Sequence, residues 1–303
     1  MEPTKHKKFQ GRRLVVFGAG YIGGELARQA RNRGLAVTAL TRNLAKAAAL
    51  TALGIEAVTA ELSRPDWHGA LPAEVDFAVN CVSAGGGGLA GYQRSYLDGL
   101  NSIREWAERA RIGTLVYTSS TSLYPKTSAG RIDERMPVSP ADEAGKILLE
   151  AESLVPACRC TRWFILRLAG IYGPGRHRLL DELRAGASRL AGQGEHRLNL
   201  IHRDDAVAGI WAALEAPAEM ANDIFNLADD DPPTRAELTS WLAARLGLPA
   251  PSFTGAETPE RRRISSPDRR IDNTRAKTRL GWQPAFPDFR AGYENLLSQP
   301  PPL

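Results

Sequence analysis

The chain has 303 residues and a mass of 32.9 kDa, a size that allows one large domain or two smaller ones. Hydrophobic residues make up 43% and charged residues 24% of a composition typical of soluble globular proteins, which excludes global disorder. No apolar run approaches the ~18–20 residues of a membrane span, so we expect no membrane association. The three cysteines lack framework spacing and favour a reducing, cytoplasmic location over a disulfide scaffold.

The basic charge is concentrated at one end of the sequence. Residues 1–13 hold five Lys or Arg and one Glu, a charge of 5 − 1 = +4, out of a net +5 for the whole chain. A nucleic-acid-binding surface would spread basic residues over a folded face. We therefore expect residues 1–12 to form a flexible basic tail, and we disfavour nucleic acid as a partner.

The first half of the chain alternates short apolar runs with helical patterns. Such alternation predicts a parallel sheet with right-handed crossovers and helices on both faces. The predicted strands are 13–17, 36–40, 55–59, 75–82, 114–118 and 162–168, and the predicted helices are 22–33, 44–53, 92–111 and 141–154.

After Gly173-Pro174-Gly175 the pattern changes and helices predominate. The predicted helices are 179–190, 204–215, 235–246 and 286–297, with short strands at 198–201 and 224–227. We therefore predict an α/β fold, a doubly wound parallel sheet over residues 13–172 with a smaller, mainly helical C-terminal domain over residues 173–299. The segment 198–228 could also return to the first domain.

A glycine-rich turn directly follows the first predicted strand and reads Gly18-Ala19-Gly20-Tyr21-Ile22-Gly23. In this strand–turn–helix context the spacing is typical of a Rossmann-type dinucleotide site. Gly18 permits the tight turn, Gly20 lets the backbone approach a pyrophosphate, and Gly23 allows the helix to pack closely on the sheet. We predict that a dinucleotide binds here, against the alternative of a glycine turn without a ligand.

The residues at the end of the second predicted strand indicate which dinucleotide binds. An NAD site usually has Asp or Glu here to accept from the ribose 2′-hydroxyl, whereas this chain has Thr41 followed by Arg42. A carboxylate would repel a 2′-phosphate, and an Arg can bind it through two donors. We predict NADP as the cofactor with NAD as the alternative; Arg42 could also be only a solvated loop cation.

Three further stretches follow the glycine motif in order: 116–125 (VYTSSTSLYP), 167–175 (RLAGIYGPG) and 201–205 (IHRDD). Together these motifs resemble the extended short-chain dehydrogenase/reductase family, the NAD(P)-dependent epimerase/dehydratases, in an atypical form. The resemblance covers roughly residues 12–298. It implies an NAD(P)-binding Rossmann domain and a small substrate domain, with the active site in the cleft between them.

The resemblance also implies roles for individual residues. Ser120 matches the family's catalytic Ser/Thr, whose hydroxyl bonds the reacting oxygen, and Lys146 matches the lysine that holds the nicotinamide ribose. The other implied cofactor-binding residues are Tyr21 and Ile22 in the glycine motif, Glu61 and Leu62 after the third strand, and Val82, Ser83 and Ala84 after the fourth.

The sequence departs from the family at the catalytic pair Tyr-x-x-x-Lys. Four residues before Lys146 stands Asp142 instead of Tyr. A carboxylate could donate a proton only if burial kept it protonated; an i,i+4 ion pair or a place at the helix N-terminus is the structural alternative. Tyr124 and Tyr172 are the other candidate proton donors, beside water.

These observations leave several functions open. The first is an NADP-dependent oxidoreductase, epimerase or dehydratase acting on a small carbonyl or hydroxyl compound, with a sugar-like substrate as one option. The second is a non-catalytic NADP-binding sensor, motivated by the missing Tyr, and the third an RNA-binding protein on the same fold. We expect no metal site, and the resemblance implies a homodimer through the helices at 92–111 and 141–154.

Overall fold

The computed structural model describes residues 6–125, 130–255 and 269–298. Residues 1–5 of the predicted tail, and residue 299 at the end of the predicted second domain, lie outside the described residues. The strands are β1 (Arg13–Phe17), β2 (Ala36–Thr41), β3 (Glu56–Thr59), β4 (Glu74–Asn80), β5 (Arg111–Ser120), β6 (Gly130–Ile132), β7 (Arg162–Leu168), β8 (Gly170–Tyr172), β9 (Arg189–Leu190), β10 (Leu200–His202), β11 (Asp223–Leu227), β12 (Ser252–Phe253) and β13 (Arg269–Ile271).

The helices surround these strands in the alternating order that the sequence predicted. They are α1 (Tyr21–Asn32), α2 (Leu44–Ala52), α3 (Gly88–Tyr92), α4 (Gly99–Ala107), α5 (Glu143–Leu154), α6 (Arg178–Arg184), α7 (Arg203–Glu215), α8 (Arg235–Arg245) and α9 (Phe289–Ser298). A π-helical stretch, Gln93–Asp98, connects α3 to α4.

One seven-stranded sheet carries the fold, in the order β11-β7-β5-β4-β1-β2-β3. The pairs β1–β2, β1–β4, β2–β3 and β4–β5 are parallel. Central strands of a parallel sheet are covered on both faces, so they read as continuous apolar runs; Leu14–Phe17 of β1 are all buried. The predicted doubly wound parallel sheet is confirmed.

The described chain divides into two compact units that interleave in sequence. Unit 1 takes residues 6–123, 140–167 and 209–225, and unit 2 takes 124–125, 130–139, 168–208, 226–255 and 269–298. The predicted domains, in contrast, meet at a single boundary after residue 172, apart from the segment 198–228.

The core of unit 1 lies between the sheet and its helices. It includes Phe17, Trp67, Leu100, Trp106 and Leu115, all at most 3% exposed. The rings of Trp67 and Trp106 both lie edge-on to Phe17, with centroids 5.4 and 5.6 Å away. This packing fixes the carboxyl end of β1, where the glycine motif begins.

Unit 2 has its own core. Helices α6, α8 and α9 pack around Tyr172, Leu238, Phe289 and Tyr293, and the rings of Tyr172 and Tyr293 are stacked. Three short parallel ladders, β8–β10, β9–β12 and β6–β13, accompany the helices.

Several element boundaries differ from the sequence predictions for local reasons. The helix predicted at 179–190 ends at Arg184, because Gly186 adopts φ +85° and the chain then forms β9. The helix predicted at 92–111 ends at Ala107, and the amide of Arg111 donates to the carbonyl of Ala73 as β5 begins.

The predicted flexible tail is shorter than residues 1–12. His6–Phe9 form a 3₁₀ turn, and Phe9 is 2% exposed, with its ring 5.4 Å from Trp211 and 6.0 Å from Phe77. An aromatic side chain buried at this level fixes the backbone that carries it. The sequence reasoning weighed only the basic residues and overlooked this anchor.

No helix in the described part of the chain combines the length and the apolar character that crossing a membrane requires.

Candidate functional site

The turn between β1 and α1 is built by two close approaches. A Cβ on Gly18 would lie 2.8 Å from Val82 Cγ2, and a Cβ on Gly23 would lie 2.3 Å from the carbonyl oxygen of Gly18. Gly18 also has φ +86°. Both positions therefore exclude any side chain, which keeps the turn tight and lets α1 pack directly on the strand ends.

Gly20 has a different environment from these two glycines. Apart from Gly20 itself and its two chain neighbours, no atom of the described residues lies within 4 Å of the position a Cβ would take, and Gly20 borders a cleft at the carboxyl ends of the strands. Among the described residues no side chain caps the N-terminus of α1, and its first turn has no acidic residue. Backbone amides and a positive helix end thus face open space, as an anionic group requires.

The end of β2 supplies polar and basic groups to the same cleft. Thr41 Oγ1 accepts from the amide of Asn43 (3.2 Å), and Asn43 Oδ1 caps α2 by accepting from the amide of Lys46 (2.9 Å). Arg42 and Lys46 both border the cleft. Two cations therefore stand where the cofactor-selecting carboxylate of an NAD site would be.

Glu61, just after β3, is paired with Arg42. Arg42 Nη1 lies 3.3 Å from Glu61 Oε2, and the two side chains are 47% and 27% exposed. Both groups border the cleft, so it contains one carboxylate beside its two cations.

The end of β4 forms the remaining wall. The amide of Val82 donates to Asn80 Oδ1 (3.1 Å), and Ser83 follows at the cleft edge. Cys81 also borders the cleft, but burial raises the pKa of its thiol to about 12, against a smaller lowering by the Thr118 hydrogen bond. Cys81 is therefore a neutral wall residue and not a nucleophile at neutral pH.

The cleft has a volume of about 490 Å³. Eight residues that the sequence analysis named line it: Gly18, Gly20, Thr41, Arg42, Glu61, Leu62, Val82 and Ser83. Five others named for the cofactor are absent from its lining: Tyr21, Ile22, Gly23, Ala84 and Lys146. Gly23 acts through packing, as its close approach to Gly18 shows.

Sequence reasoning missed part of the lining. It overlooked three polar residues, Asn43, Lys46 and Ser95. It also overlooked Gly85, in the loop after β4. Lys46 could have been found, because it falls in the first turn of the predicted second helix, four residues after Arg42. Ser95 lies in the π-helical stretch and gives no comparable signal.

The candidate catalytic residues of unit 1 lie at the end of β5 and the start of α5. Ser120 is half-buried, and its Oγ accepts from the amide of Ser122 (3.1 Å). Its neighbour Ser119 points into the protein and donates to Glu152 Oε2 at 2.5 Å. Of the two hydroxyls, Ser120 is the one with access to solvent.

Glu152 is the buried anchor of α5. Its carboxylate accepts hydrogen bonds from the Ser119 hydroxyl and from two nitrogens of Arg167. Arg167 Nη2 lies 2.5 Å from Glu152 Oε1, and both charged side chains are 5% exposed. A buried pair with this many hydrogen bonds holds α5 against β5 and β7.

Asp142 serves as the N-cap of α5. Its Oδ1 accepts from the amide of Gly145 (2.9 Å), and its backbone is extended, as an N-cap requires. A Cβ on Gly145 would lie 2.5 Å from Pro140 Cβ. The glycine next to Lys146, unfavourable in a helix, is therefore explained by the proline ring that packs on it.

Lys146 points to solvent. Its Nζ donates to Glu143 at 2.7 Å and its side chain is 60% exposed. The hydrogen bond to Glu143 raises the pKa of the ammonium group. The sequence left two structural roles open for Asp142, an ion pair with Lys146 or a place at the helix N-terminus. Asp142 takes the place at the helix N-terminus, and Lys146 pairs with Glu143 instead.

The two tyrosines considered as proton donors are packing residues of unit 2. Tyr124 is 0% exposed and its hydroxyl donates to Asn226 Oδ1 at 2.8 Å. Tyr172 is 3% exposed and stacks on Tyr293, and burial raises its pKa far above the ordinary range. Neither phenol is available to solvent.

His202 and the cysteines have ordinary structural surroundings. His202 is buried against Tyr172 and Phe286, and burial lowers its pKa to about 4. Burial raises the pKa of Cys158 to about 12 and of Cys160 to about 11. Within residues 6–125, 130–255 and 269–298, no three His, Cys, Asp or Glu side chains are grouped to hold a metal ion.

The residues present fit a dinucleotide at the cleft of unit 1. Open space above Gly20, an uncapped α1 and the cations Arg42 and Lys46 suit pyrophosphate and a further phosphate. The carboxyl ends of strands in an open α/β sheet are the expected place for such a ligand.

Comparisons with known proteins find similar chains over most of the sequence. The chain is 28% identical to Protein YeeZ of Escherichia coli (strain K12) over 279 residues, 91% of this chain and 97% of that protein. It is 25% identical over 252 residues to the 2-alkyl-3-oxoalkanoate reductase of Stenotrophomonas maltophilia (strain K279a), 78% of this chain and 76% of that enzyme.

A solved structure shows the same fold at lower identity. The UDP-glucuronic acid 4-epimerase of Bacillus cereus, in complex with UDP-glucuronic acid and NAD, matches with a TM-score of 0.79 at 19% identity, over 93% of this chain and 96% of that one. The family model described as NAD dependent epimerase/dehydratase matches residues 14–228, well over half of the sequence. The chain therefore belongs to the NAD-dependent epimerase/dehydratase family.

Proposed function

We propose that this protein binds NADP(H) in the cleft of unit 1 and reduces, or reversibly oxidises, a small carbonyl or hydroxyl compound. The observation that carries the proposal is the end of β2, where Thr41, Arg42 and Lys46 stand in place of a carboxylate. A guanidinium and an ammonium stabilise a 2′-phosphate, which NADP has and NAD lacks.

Each part of the cleft has a role in this binding. The amides at the start of α1 and the open face of Gly20 hold the pyrophosphate. Arg42 and Lys46 hold the 2′-phosphate, and Leu62 and Val82 provide apolar walls. A nicotinamide cofactor held by these residues would supply hydride-transfer chemistry.

Ser120 is the residue we assign to the substrate oxygen. Its hydroxyl is half-buried at the end of β5, next to β4 in the sheet, and its Oγ is accepting only one amide hydrogen bond from Ser122 among the contacts described. A hydroxyl retains its own O–H for donation while it accepts. Ser120 can therefore hydrogen-bond a carbonyl oxygen and polarise it.

The proton comes from solvent in this proposal. Asp142 accepts the amide of Gly145 as a helix cap, Lys146 is paired with Glu143, and the Tyr124 hydroxyl is buried on Asn226. Tyr172, the other tyrosine that the sequence suggested, is only 3% exposed. We therefore assign the proton to water, the last of the suggested donors.

Similarity to named proteins supports a carbonyl substrate. One relative is named 2-alkyl-3-oxoalkanoate reductase, an enzyme whose substrate carries a ketone and a carboxylate. We propose a carbonyl compound of this general kind ahead of a nucleotide sugar because of the extent of the match. The reductase matches 78% of this chain, whereas a UDP-glucose 4-epimerase of Mycolicibacterium smegmatis, although 30% identical, matches 60% of it.

A second candidate function is an NADP-binding regulator without turnover. The observation that favours it is the use of Asp142 as an N-cap and of Lys146 as a surface ion pair, which leaves no Tyr-Lys pair on α5. In that case the cofactor would be a ligand that reports redox state.

Two measurements test these proposals in order. Calorimetry with NADPH and NADH measures cofactor preference, and we expect the lower Kd for NADPH; a lower Kd for NADH contradicts the NADP assignment. NADPH oxidation over a panel of 3-oxo acids, ketones and aldehydes then tests catalysis. Tight NADPH binding with no turnover on any of them, at a detection limit below the uncatalysed rate, favours the regulator.

A further inference from the structure

The guanidinium of Arg42 contacts two sides of the cofactor cleft. Nη1 lies 3.3 Å from Glu61 Oε2, just past the end of β3. Nη2 lies against Gly85 in the loop after β4, where an added Cβ would come within 3.0 Å of it. Arg42 itself follows β2.

The strand order in the sheet shows that the contacts of Arg42 lie on opposite sides of the cleft. The neighbouring strands are β4-β1-β2-β3, so groups after β3 and after β4 stand on either side of the turn that follows β1. Arg42 reaches both, and it therefore lies across the cleft whose floor includes Gly18 and Gly20. The absence of a side chain at Gly85 provides the room.

The contact with Glu61 is exchangeable. Its N–O distance is 3.3 Å, longer than a strong charge-assisted hydrogen bond, and the Arg42 side chain is 47% exposed. Exposed ion pairs of this kind hold their partners weakly. A 2′-phosphate carries more negative charge than one carboxylate and can take two guanidinium donors.

We propose that Glu61 competes with the 2′-phosphate for Arg42 and is thereby a specificity-determining residue that limits the preference for NADP over NAD. This inference rests on the proposed function, because it requires Arg42 to bind the 2′-phosphate. Glu61 does not touch the phosphate in this account; it acts through Arg42. Any contact that Glu61 makes with the adenine half of the cofactor is common to NADPH and NADH, so the competition for Arg42 changes the ratio of their Kd values.

The test is a double-mutant cycle read by calorimetry at low salt, with NADPH, NADH and adenosine 2′,5′-bisphosphate as ligands. The variants are Glu61→Gln, Arg42→Ala and the two combined. Gln keeps the shape of Glu and removes its charge. The control is Glu56→Gln, which removes the same charge at the start of β3, where Glu56 accepts from Thr38 Oγ1.

We expect Glu61→Gln to lower the Kd values for NADPH and for adenosine 2′,5′-bisphosphate, each taken relative to the Kd for NADH, about two- to fivefold, the range of an exposed ion pair. Glu56→Gln should leave these ratios unchanged. In the Arg42→Ala background, Glu61→Gln should no longer improve NADPH binding, because the guanidinium for which Glu61 competes has been removed.

Three results would overturn the inference. A higher ratio of the NADPH Kd to the NADH Kd in Glu61→Gln would mean that Glu61 orients Arg42 instead of competing for it. An equal gain with and without Arg42 would mean direct repulsion of the phosphate, and no change would mean that Glu61 plays no part. Arg42→Ala alone tests the foundation: if it leaves the ratio of the NADPH and NADH Kd values unchanged, the proposed NADP site itself fails.

Discussion

Two regions at the carboxyl edge of the same sheet differ in what their polar groups do. At the ends of β1, β2 and β4, polar and basic groups border an open cleft, and Gly20 has no neighbour within 4 Å of its missing Cβ. At the end of β5 and the start of α5, polar groups are bonded to the protein: Ser119 to Glu152, Asp142 to Gly145, and Lys146 to Glu143.

The difference shows that the cleft and the α5 region, the proposed sites of cofactor binding and of catalysis, are held by separate features of this fold. The cleft is fixed by steric constraints on the backbone, such as the 2.3 Å approach at Gly23. The α5 region is fixed by capping and ion-pair chemistry. A chain can therefore keep the cleft and lack the usual residues of the α5 region. Mutations in one region should leave the other unaffected.

The largest effect is expected at the anchor of α5. Glu152→Ala removes the carboxylate that pairs with the 5%-exposed Arg167, which should lower the free energy of unfolding by about 3–5 kcal/mol. Urea unfolding measures it. Glu150→Ala, which removes an exposed carboxylate from the same helix, is the control and should change little. A loss below about 1 kcal/mol for Glu152→Ala would contradict a buried structural pair.

The next effect concerns the glycine turn. Gly23→Ala forces a Cβ against the carbonyl of Gly18, which should cost about 1–3 kcal/mol of stability and greatly weaken NADPH binding. Gly24→Ala is the matched control, because its Cβ would lie 3.6 Å from the nearest atom; it should stabilise α1 by up to about 1 kcal/mol. Equal NADPH affinity in both variants would show that the turn tolerates expansion.

The third effect separates the two cofactors. Arg42→Ala should raise the Kd for NADPH about tenfold, since it removes a charge-assisted contact, and leave NADH within about twofold. Arg28→Ala, on the exposed face of α1 and paired with Glu25, controls for the change in net charge. If NADPH and NADH weaken equally, Arg42 binds a group that both cofactors share.

The sequence was sufficient for the features that local patterns encode. The apolar run 13–17, the glycine spacing and the strand–helix alternation specified the sheet and the cleft floor, and β1 and β7 were predicted to the residue. The cleft lining at Thr41 and Arg42 followed from the end of the second strand, and Glu61 followed from the family resemblance.

Contacts between distant residues could not be predicted in this way. Nothing local in Glu152 or Arg167, 15 residues apart, indicates that they meet inside the protein. The burial of Phe9 depends on Trp211, and the hydroxyl of Tyr124 is occupied by Asn226, 102 residues away. Such pairings arise only when the sheet brings separate segments together.

A smaller effect tests whether Asp142 is a cap or a proton donor. Asp142→Ala removes the acceptor for the amide of Gly145 and should cost about 1 kcal/mol of stability, whereas Asp142→Asn should cost almost nothing. Any turnover should survive in the Asn variant, because Asn caps a helix but donates no acidic proton. Activity that is lost in Asp142→Asn while stability is unchanged would make Asp142 catalytic.

The smallest effect is expected at Lys146, and it is the most direct test of the comparison between the two regions. Lys146→Gln removes only a solvent-exposed pair with Glu143, so the Kd for NADPH should stay within about twofold and Tm should not move measurably. Glu143→Gln, which breaks the same pair from the other side, should behave in the same way. If Lys146→Gln instead weakens NADPH tenfold while Glu143→Gln does not, the lysine leaves Glu143 when the cofactor binds, and the α5 region then takes part in cofactor binding.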